Sequence, residues 1–273
     1  MTTVTVPDLH TVKTQFLKSI AKPSERDKQV KVGPSSIGGC AYCLGYDMAA
    51  KLCDMPNREA EKFGYAAWIG TGVHYWMEHN LDLGHGAGYE IETFRETKLK
   101  DIFEIPGYGS IGGSCDLMVP DWYRTFDFKF PGKFSHEKVQ MALAKGRMAA
   151  SRGEEIIPYL HMPSMQYRVQ QQVYRKGWEQ LGYRIDKCVI AFLPRHTNDI
   201  NDAIIWEEDA NDALYEGAVA RAISTWEYVE AGQLDDIPSE TANPQKPEEI
   251  TCFTCGPRGP GRGDLTNYNL ATN

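Results

Sequence analysis

The sequence predicts an α/β protein, with a central sheet of about four or five strands flanked by helices. Two runs of β-rich residues split by Pro120-Asp121 read as a hairpin. Further strand-like runs lie near residues 89–99 and 183–193, and between and around them apolar residues recur at helical spacing. Sheet and helix signals interleaved over 273 residues fit one elaborated domain with a full core, or at most two small ones.

Residues 1–30 read as a loosely structured arm with a short helix near residues 9–20. Pro34-Ser35-Ser36 caps a predicted helix over 37–52, which carries Cys40 and Cys43, with Cys53 at its end. A second helix over 66–83 places Trp68, Val73, Trp76, Met77 and Leu81 on its apolar side, and His74 with Glu78 one turn on. A glycine-rich break at 84–88 leads into the strand at 89–99. Residues 134–158 are polar, basic and methionine-dotted, so helix and loop both remain open, with part of the segment expected to move. A helix over 163–181 closes at Gly182. After the strand at 183–193, an amphipathic helix is expected over 209–231, and then a proline-rich acidic linker over 237–249.

The composition is that of an ordinary globular protein, 42% hydrophobic and 24% charged. No run is apolar enough to span a membrane, and residues 1–10 lack a signal-peptide pattern, so a cytoplasmic protein is expected. The net charge of −8 argues against nonspecific coating of nucleic acid, while leaving room for a basic groove. Two segments are basic, 13–31 and 129–152. The second carries Lys133, Lys138, Lys145 and Arg147.

The hairpin carries the chemistry. Side chains two apart on a strand share a face, so Asp127 and Lys129 project together while Phe126, Phe128 and Phe130 pack behind. Pairing of the two runs brings Asp116 to the same face. Two carboxylates and an ammonium beside an apolar layer suit a hard cation such as Mg²⁺ or Mn²⁺ and the activation of a water. Glu96-Thr97-Lys98 repeats the acid-x-lysine pattern and reads as an exposed strand face.

Four motifs occur in order: Gly70-Thr71-Gly72-Val73-His74, Gly113-Ser114-Cys115-Asp116, Asp127-Phe128-Lys129 and Gln170-Gln171-Gln172-Val173-Tyr174. In this conjunction the chain resembles the PD-(D/E)xK nuclease superfamily. Within it the likeness is to RecB-like exonucleases, including CRISPR-associated and phage-encoded single-domain members with a four-cysteine metal site. The resemblance implies a restriction-endonuclease-like core, a mixed central sheet flanked by helices. It implies that His74, Asp116, Asp127 and the backbone carbonyl of Phe128 hold one or two Mg²⁺ or Mn²⁺ ions. Lys129 would position the attacking water and stabilise the transition state. Gln170 and Tyr174 would brace the lysine and the DNA backbone, with Gln166, Gln171 and Gln172 as rivals for the place of Gln170.

Cys40-x-x-Cys43 and Cys252-x-x-Cys255 are two-ligand hooks that together supply four thiolates. The resemblance tips the balance to a [4Fe–4S] cluster. The two-and-two split and the glycine after Cys255 leave Zn²⁺ as the alternative. Cys53, Cys115 and Cys188 read as ordinary buried thiols. Three regions follow: an arm and helical segment over 1–60, a nuclease core over 61–235, and a linker with the second hook over 236–273. The implied function is metal-dependent hydrolysis of DNA at ends or single strands, in recombination, repair or phage DNA metabolism, in the host cytoplasm if phage-encoded. The alternatives are a structure-specific endonuclease on the same core, or a non-catalytic metal-stapled DNA-binding subunit. With no motor motif, a helicase or single-strand annealing protein is a possible partner, and a homo-oligomer is allowed.

Overall fold

The computed structural model describes residues 31–52, 65–84, 89–153 and 163–237. A five-stranded sheet runs through them in the spatial order β1 to β5, which is also chain order. Strands β1 (Phe94–Ile105), β2 (Gly109–Val119) and β3 (Arg124–Lys129) form an antiparallel meander. Strand β4 (Lys187–Phe192) pairs parallel to β3, and β5 (Ile204–Asp209) pairs antiparallel to β4. The sheet is therefore mixed, as expected. A parallel pair needs a long crossover, and helices α4 (Lys133–Ser151) and α5 (Met165–Gln180) lie in that connection.

Helices α1 (Pro34–Ile37), α2 (Ala41–Leu52) and α3 (Tyr65–Asn80) precede the sheet, and α6 (Asp212–Glu230) follows it. The main core joins α1, α2, α5 and α6 to one face of the sheet through Ile37, Leu44, Met48, Ile102, Val173, Trp178 and Trp226. Each such side chain contributes about 1.5–3 kcal/mol on burial. On the opposite face Leu117, Val119, Phe128 and Ala191 pack with Met77 of α3 and Leu81 just after it, and with Phe126 and Phe130. A third cluster seats α4 by Val139 against Ile190 and Phe192. The apolar backing foreseen for the Asp127–Lys129 strand is in place.

Several boundaries differ from expectation for identifiable reasons. The helix anticipated over 37–52 is two pieces, because a Cβ at Gly38 would stand 2.6 Å from the Gln166 backbone of α5. That close approach takes the chain out of helix between α1 and α2. Strand β1 starts at Phe94 instead of 89 and runs on to Ile105. The turn after β2 is a 3-10 turn over Pro120–Trp122, and it shortens β3. The basic segment left open is helical over Lys133–Ser151, with a narrow buried stripe of His136, Val139, Gly146 and Ala149. Strand β5 was not foreseen, and α6 begins only at Asp212, where Asn211 accepts from the Leu214 N–H as its cap. Trp76, expected on the apolar side of α3, is 56% exposed.

One irregularity shapes the sheet edge. Leu99 pairs with Gly113 and Phe103 with Ile111, so three residues of β1 (Lys100, Asp101, Ile102) face only Gly112. Asp101 takes up a positive φ of 53°. The bulge turns both Leu99 and Ile102 into the core and sends Lys98, Lys100 and Asp101 outward. It closes tightly: a Cβ on Gly112 would lie 2.5 Å from the Leu99 carbonyl oxygen and 3.1 Å from Lys100 Cα. Gly112→Ala is expected to destabilise the protein by about 1–3 kcal/mol, read as an earlier midpoint in urea denaturation. An unchanged midpoint would mean the bulge yields freely.

Candidate active site

The strand register sets three carboxylates in a row. Arg95 pairs with Leu117 and Thr97 with Cys115, which puts Glu96 opposite Asp116. Leu117 pairs with Phe126, and the next step sets Asp116 opposite Asp127. Directly opposed side chains share a face, so Glu96, Asp116 and Asp127 run across β1, β2 and β3. Glu96 reaches this row with a φ of 43°, a conformation rarely adopted by a residue with a Cβ.

His74 of α3 lies over the row. Its Nδ1 is 3.1 Å from Glu96 Oε1 and 3.6 Å from Asp116 Oδ2. The ring is held edge-on by Phe130 and tilted against Phe128. Asp116 Oδ2 accepts the Phe128 N–H at 2.8 Å, which ties the β2 carboxylate to the β3 backbone. Asp127 is 1% exposed, and the Lys129 ammonium stands 2.9 Å from its Oδ1 and 2.7 Å from its Oδ2. Of these two oxygens, Oδ2 lacks a directed hydrogen bond and so keeps a lone pair for another partner.

Helix α5 supports the lysine. Gln170 Oε1 accepts from Lys129 Nζ at 3.3 Å, and Gln170 Nε2 donates to the Tyr174 hydroxyl at 3.5 Å. The Tyr167 ring lies 4.7 Å from the same ammonium. The competition among the glutamines resolves by direction. Gln166 donates to the Ser35 carbonyl, Gln171 accepts from Thr125 Oγ1 of β3, and Gln172 donates to Glu208 and the Asp209 carbonyl of β5. Only Gln170 faces Lys129.

Burial and mutual repulsion govern the charges. Asp116 is pushed up to about 7, first by burial and then by the Asp127 charge, against the pull of His74 and the Phe128 N–H. Burial also raises Asp127, opposed by Lys129. For His74, burial works against the charged form, but the Glu96 hydrogen bond and the surrounding carboxylates outweigh it and raise its pKa. Lys129 is likewise raised, because Asp127 outweighs the cost of burial. An acid that resists ionisation beside two others would be relieved by added positive charge. Ligand atoms of His74, Glu96 and Asp116 all lie within 4.8 Å of one another. These nitrogen and oxygen donors suit a hard divalent cation, with Asp127 Oδ2 adjoining.

All of His74, Asp116, Asp127, Phe128, Lys129, Gln170 and Tyr174 thus gather at one site, Phe128 by its N–H. Glu96 was read as part of an exposed strand face. That reading is corrected: its side chain is 11% exposed and bonded to His74. Glu90, Glu92 and Glu96 all sit in the same strand-like stretch, and only the register singles out the third. Lys133, Lys138, Lys145 and Arg147 are exposed on α4 and do not line the cleft, with Lys133 3.9 Å from Glu137 and Lys138 over the Phe134 ring. Cys40 and Cys43 are half-buried at the start of α2. Their proposed partners Cys252 and Cys255, like Cys53, lie outside the described residues. Cys115 and Cys188 are buried, as expected.

No protein-family model matches the sequence, and no curated protein does. Among solved structures, the chain is similar to an alkaline exonuclease from Laribacter hongkongensis. The identity is 13% and the TM-score 0.47, over 75% of this chain and 90% of that one. The same exonuclease in complex with dAMP gives 14% and 0.46 over the same shares. A phage-related exonuclease from Haemophilus somnus 129PT gives 14% and 0.44, over 76% and 96%.

The raised carboxylates predict a pH dependence. A folded-state pKa of about 7 for Asp116, against its ordinary 3.8, means that the protonated form stabilises the ion-free protein. That contribution is complete below about pH 4 and is lost as pH rises through 7. In EDTA, the melting temperature should fall from pH 5.5 to pH 8. Asp116→Asn should flatten the fall, leaving the parts due to Asp127 and to the raised His74. Equal slopes in parent and variant would refute the assignment.

Proposed function

We propose that the protein is a metal-dependent deoxyribonuclease that hydrolyses phosphodiester bonds at DNA ends or in single strands, as an exonuclease. The observation that carries this reading is the row of Glu96, Asp116 and Asp127 under His74, with the Lys129 ammonium at the end of the row. His74, Glu96, Asp116 and Asp127 would hold Mg²⁺ or Mn²⁺, which when bound polarises a phosphoryl oxygen and makes hydroxide accessible near neutral pH.

The chain's own groups do the remaining work. Lys129 stays protonated because its pKa is raised, so it serves as an electrostatic partner for the charge developing on the phosphate and not as a base. Asp127 fixes the ammonium from one side and Gln170 from another, while Tyr174 fixes the Gln170 amide. Phe128 and Phe130 back the site with apolar surface, which strengthens each charge interaction inside it. The exposed cations of α4, which begins four residues after Lys129, would take phosphates of the same substrate further out. Cys40 and Cys43 would join Cys252 and Cys255 around a [4Fe–4S] cluster or Zn²⁺, apart from the hard-cation site.

End-labelled single-stranded and duplex DNA tests the reading, with Mg²⁺, Mn²⁺ or EDTA. Cleavage is expected with either ion and none in EDTA. Asp127→Asn should reduce cleavage to background, and Lys129→Ala should lower kcat about 10²–10³-fold, the order seen when a transition-state contact is removed. Undiminished cleavage by the Asp127→Asn protein would overturn the proposal.

A further inference from the structure

The carboxylate row sits inside a larger cleft of about 940 Å³ that extends well past it. Beyond Glu96 the cleft follows the outward face of the β1–β2 pair, lined by Lys98, Lys100, Asp101, Ser110, Gly113 and Ser114. Lys98 faces Ser114 across the strands. The bulge after Leu99 keeps Lys100 on this side, and both lysines are exposed and make no ion pair among the described residues. Unengaged ammonium groups inside a cleft, with hydroxyls opposite, form a surface for anions. Two residues apart on a strand, they stand about 7 Å from each other, comparable with adjacent phosphates on an extended nucleic-acid strand. Gly113 lets Pro34 and Tyr174 close on β2 beside the cleft, since a Cβ there would meet Pro34 Cδ at 2.8 Å and the Tyr174 hydroxyl at 3.3 Å. At the far end, Asp101 accepts from Ser110 and presents a negative charge that opposes any further phosphate.

We infer that this extension is a backbone groove for one unpaired DNA strand, in which Lys98 and Lys100 take consecutive phosphates beside the one being cleaved. The inference rests on the nuclease reading above and adds to it the path and the single-stranded form of the substrate. A cleft of drug-ligand size is matched to a few nucleotides of one strand, and this favours an unpaired strand over a duplex. The grip is electrostatic and sequence-independent. It is also short, because Asp101 ends it. These lysines act on the side of the site away from the α4 cations.

The test uses the full chain as parent, as Lys98→Gln/Lys100→Gln and as Lys98→Arg/Lys100→Arg. Binding of a fluorescein-labelled single-stranded oligonucleotide is followed by anisotropy in EDTA from about 50 to 200 mM salt. Cleavage kinetics are then measured with Mn²⁺. Neutralising both lysines should lower the slope of log affinity against log salt by about 1.4. It should also raise KM roughly tenfold, the order for two solvent-exposed charge contacts, with the larger part of the loss in KM. The arginine pair should restore both. A cleaving parent whose glutamine variant keeps the same slope and KM overturns the groove while leaving the nuclease reading intact. Equal binding of a blunt duplex, with equal loss in the variant, overturns the single-strand assignment. A parent that neither binds nor cleaves removes the nuclease reading and the groove with it.

Discussion

Three carboxylates held side by side on a sheet, with little water to screen them, are the constraint to which the rest of the site answers. Opposed side chains on neighbouring strands lie about 5 Å apart. Two ionised acids at that separation repel by roughly 3 kcal/mol where the effective dielectric constant is near 20. The row of Glu96, Asp116 and Asp127 contains two such pairs. The surrounding groups each supply partial relief: Lys129 to Asp127, the Phe128 N–H to Asp116, and His74 to both Glu96 and Asp116. A retained proton on Asp116 supplies more. A divalent cation would replace that proton with two charges, so ion binding and relief of strain are the same event.

The helix behind the sheet turns one repeated side chain to several uses. Successive residues of a helix point about 100° apart, so three adjacent glutamines cannot share a role. Gln171 is anchored to β3 through Thr125, and Gln172 to β5 and the start of α6 through Glu208, the Asp209 carbonyl and the Asn211 N–H. With both neighbours fixed, Gln170 has little freedom and meets Lys129. Arg175, buried on the same helix, joins Gln172 to Glu179 and Asp212. The position of Lys129 is thus determined partly by polar bonds made well away from the cleft.

What could be read in the sequence depended on whether a period of two or 3.6 was kept. Asp127, Lys129 and their phenylalanine backing were legible because β3 is regular, and Asp116 followed from the hairpin. The ordered motifs pointed to His74 and Tyr174. Glu96 was hidden because its place depends on a register and a positive φ that no local pattern announces. Strand β5 was missed because its burial alternates only between half-buried and exposed, so the acids of Ile204–Asp209 obscure the strand. Helix α4 was ambiguous since its buried stripe is made of small residues and a histidine as much as of large apolar ones. Gln170 could be named but not separated from its neighbours until their partners were seen.

Among the described residues strand β1 forms one margin of the sheet, and such margins ordinarily invite another strand to add to their backbone. The insertion of Lys100, Asp101 and Ile102 against Gly112 breaks the regular spacing of donors and acceptors there, with Lys98 before the break and Lys100 within it adding positive charge. An incoming β-strand would find neither a continuous ladder nor a neutral surface. The distortion that opens the cleft therefore also guards against edge-to-edge aggregation, so a variant that straightened β1 would risk losing solubility along with its groove.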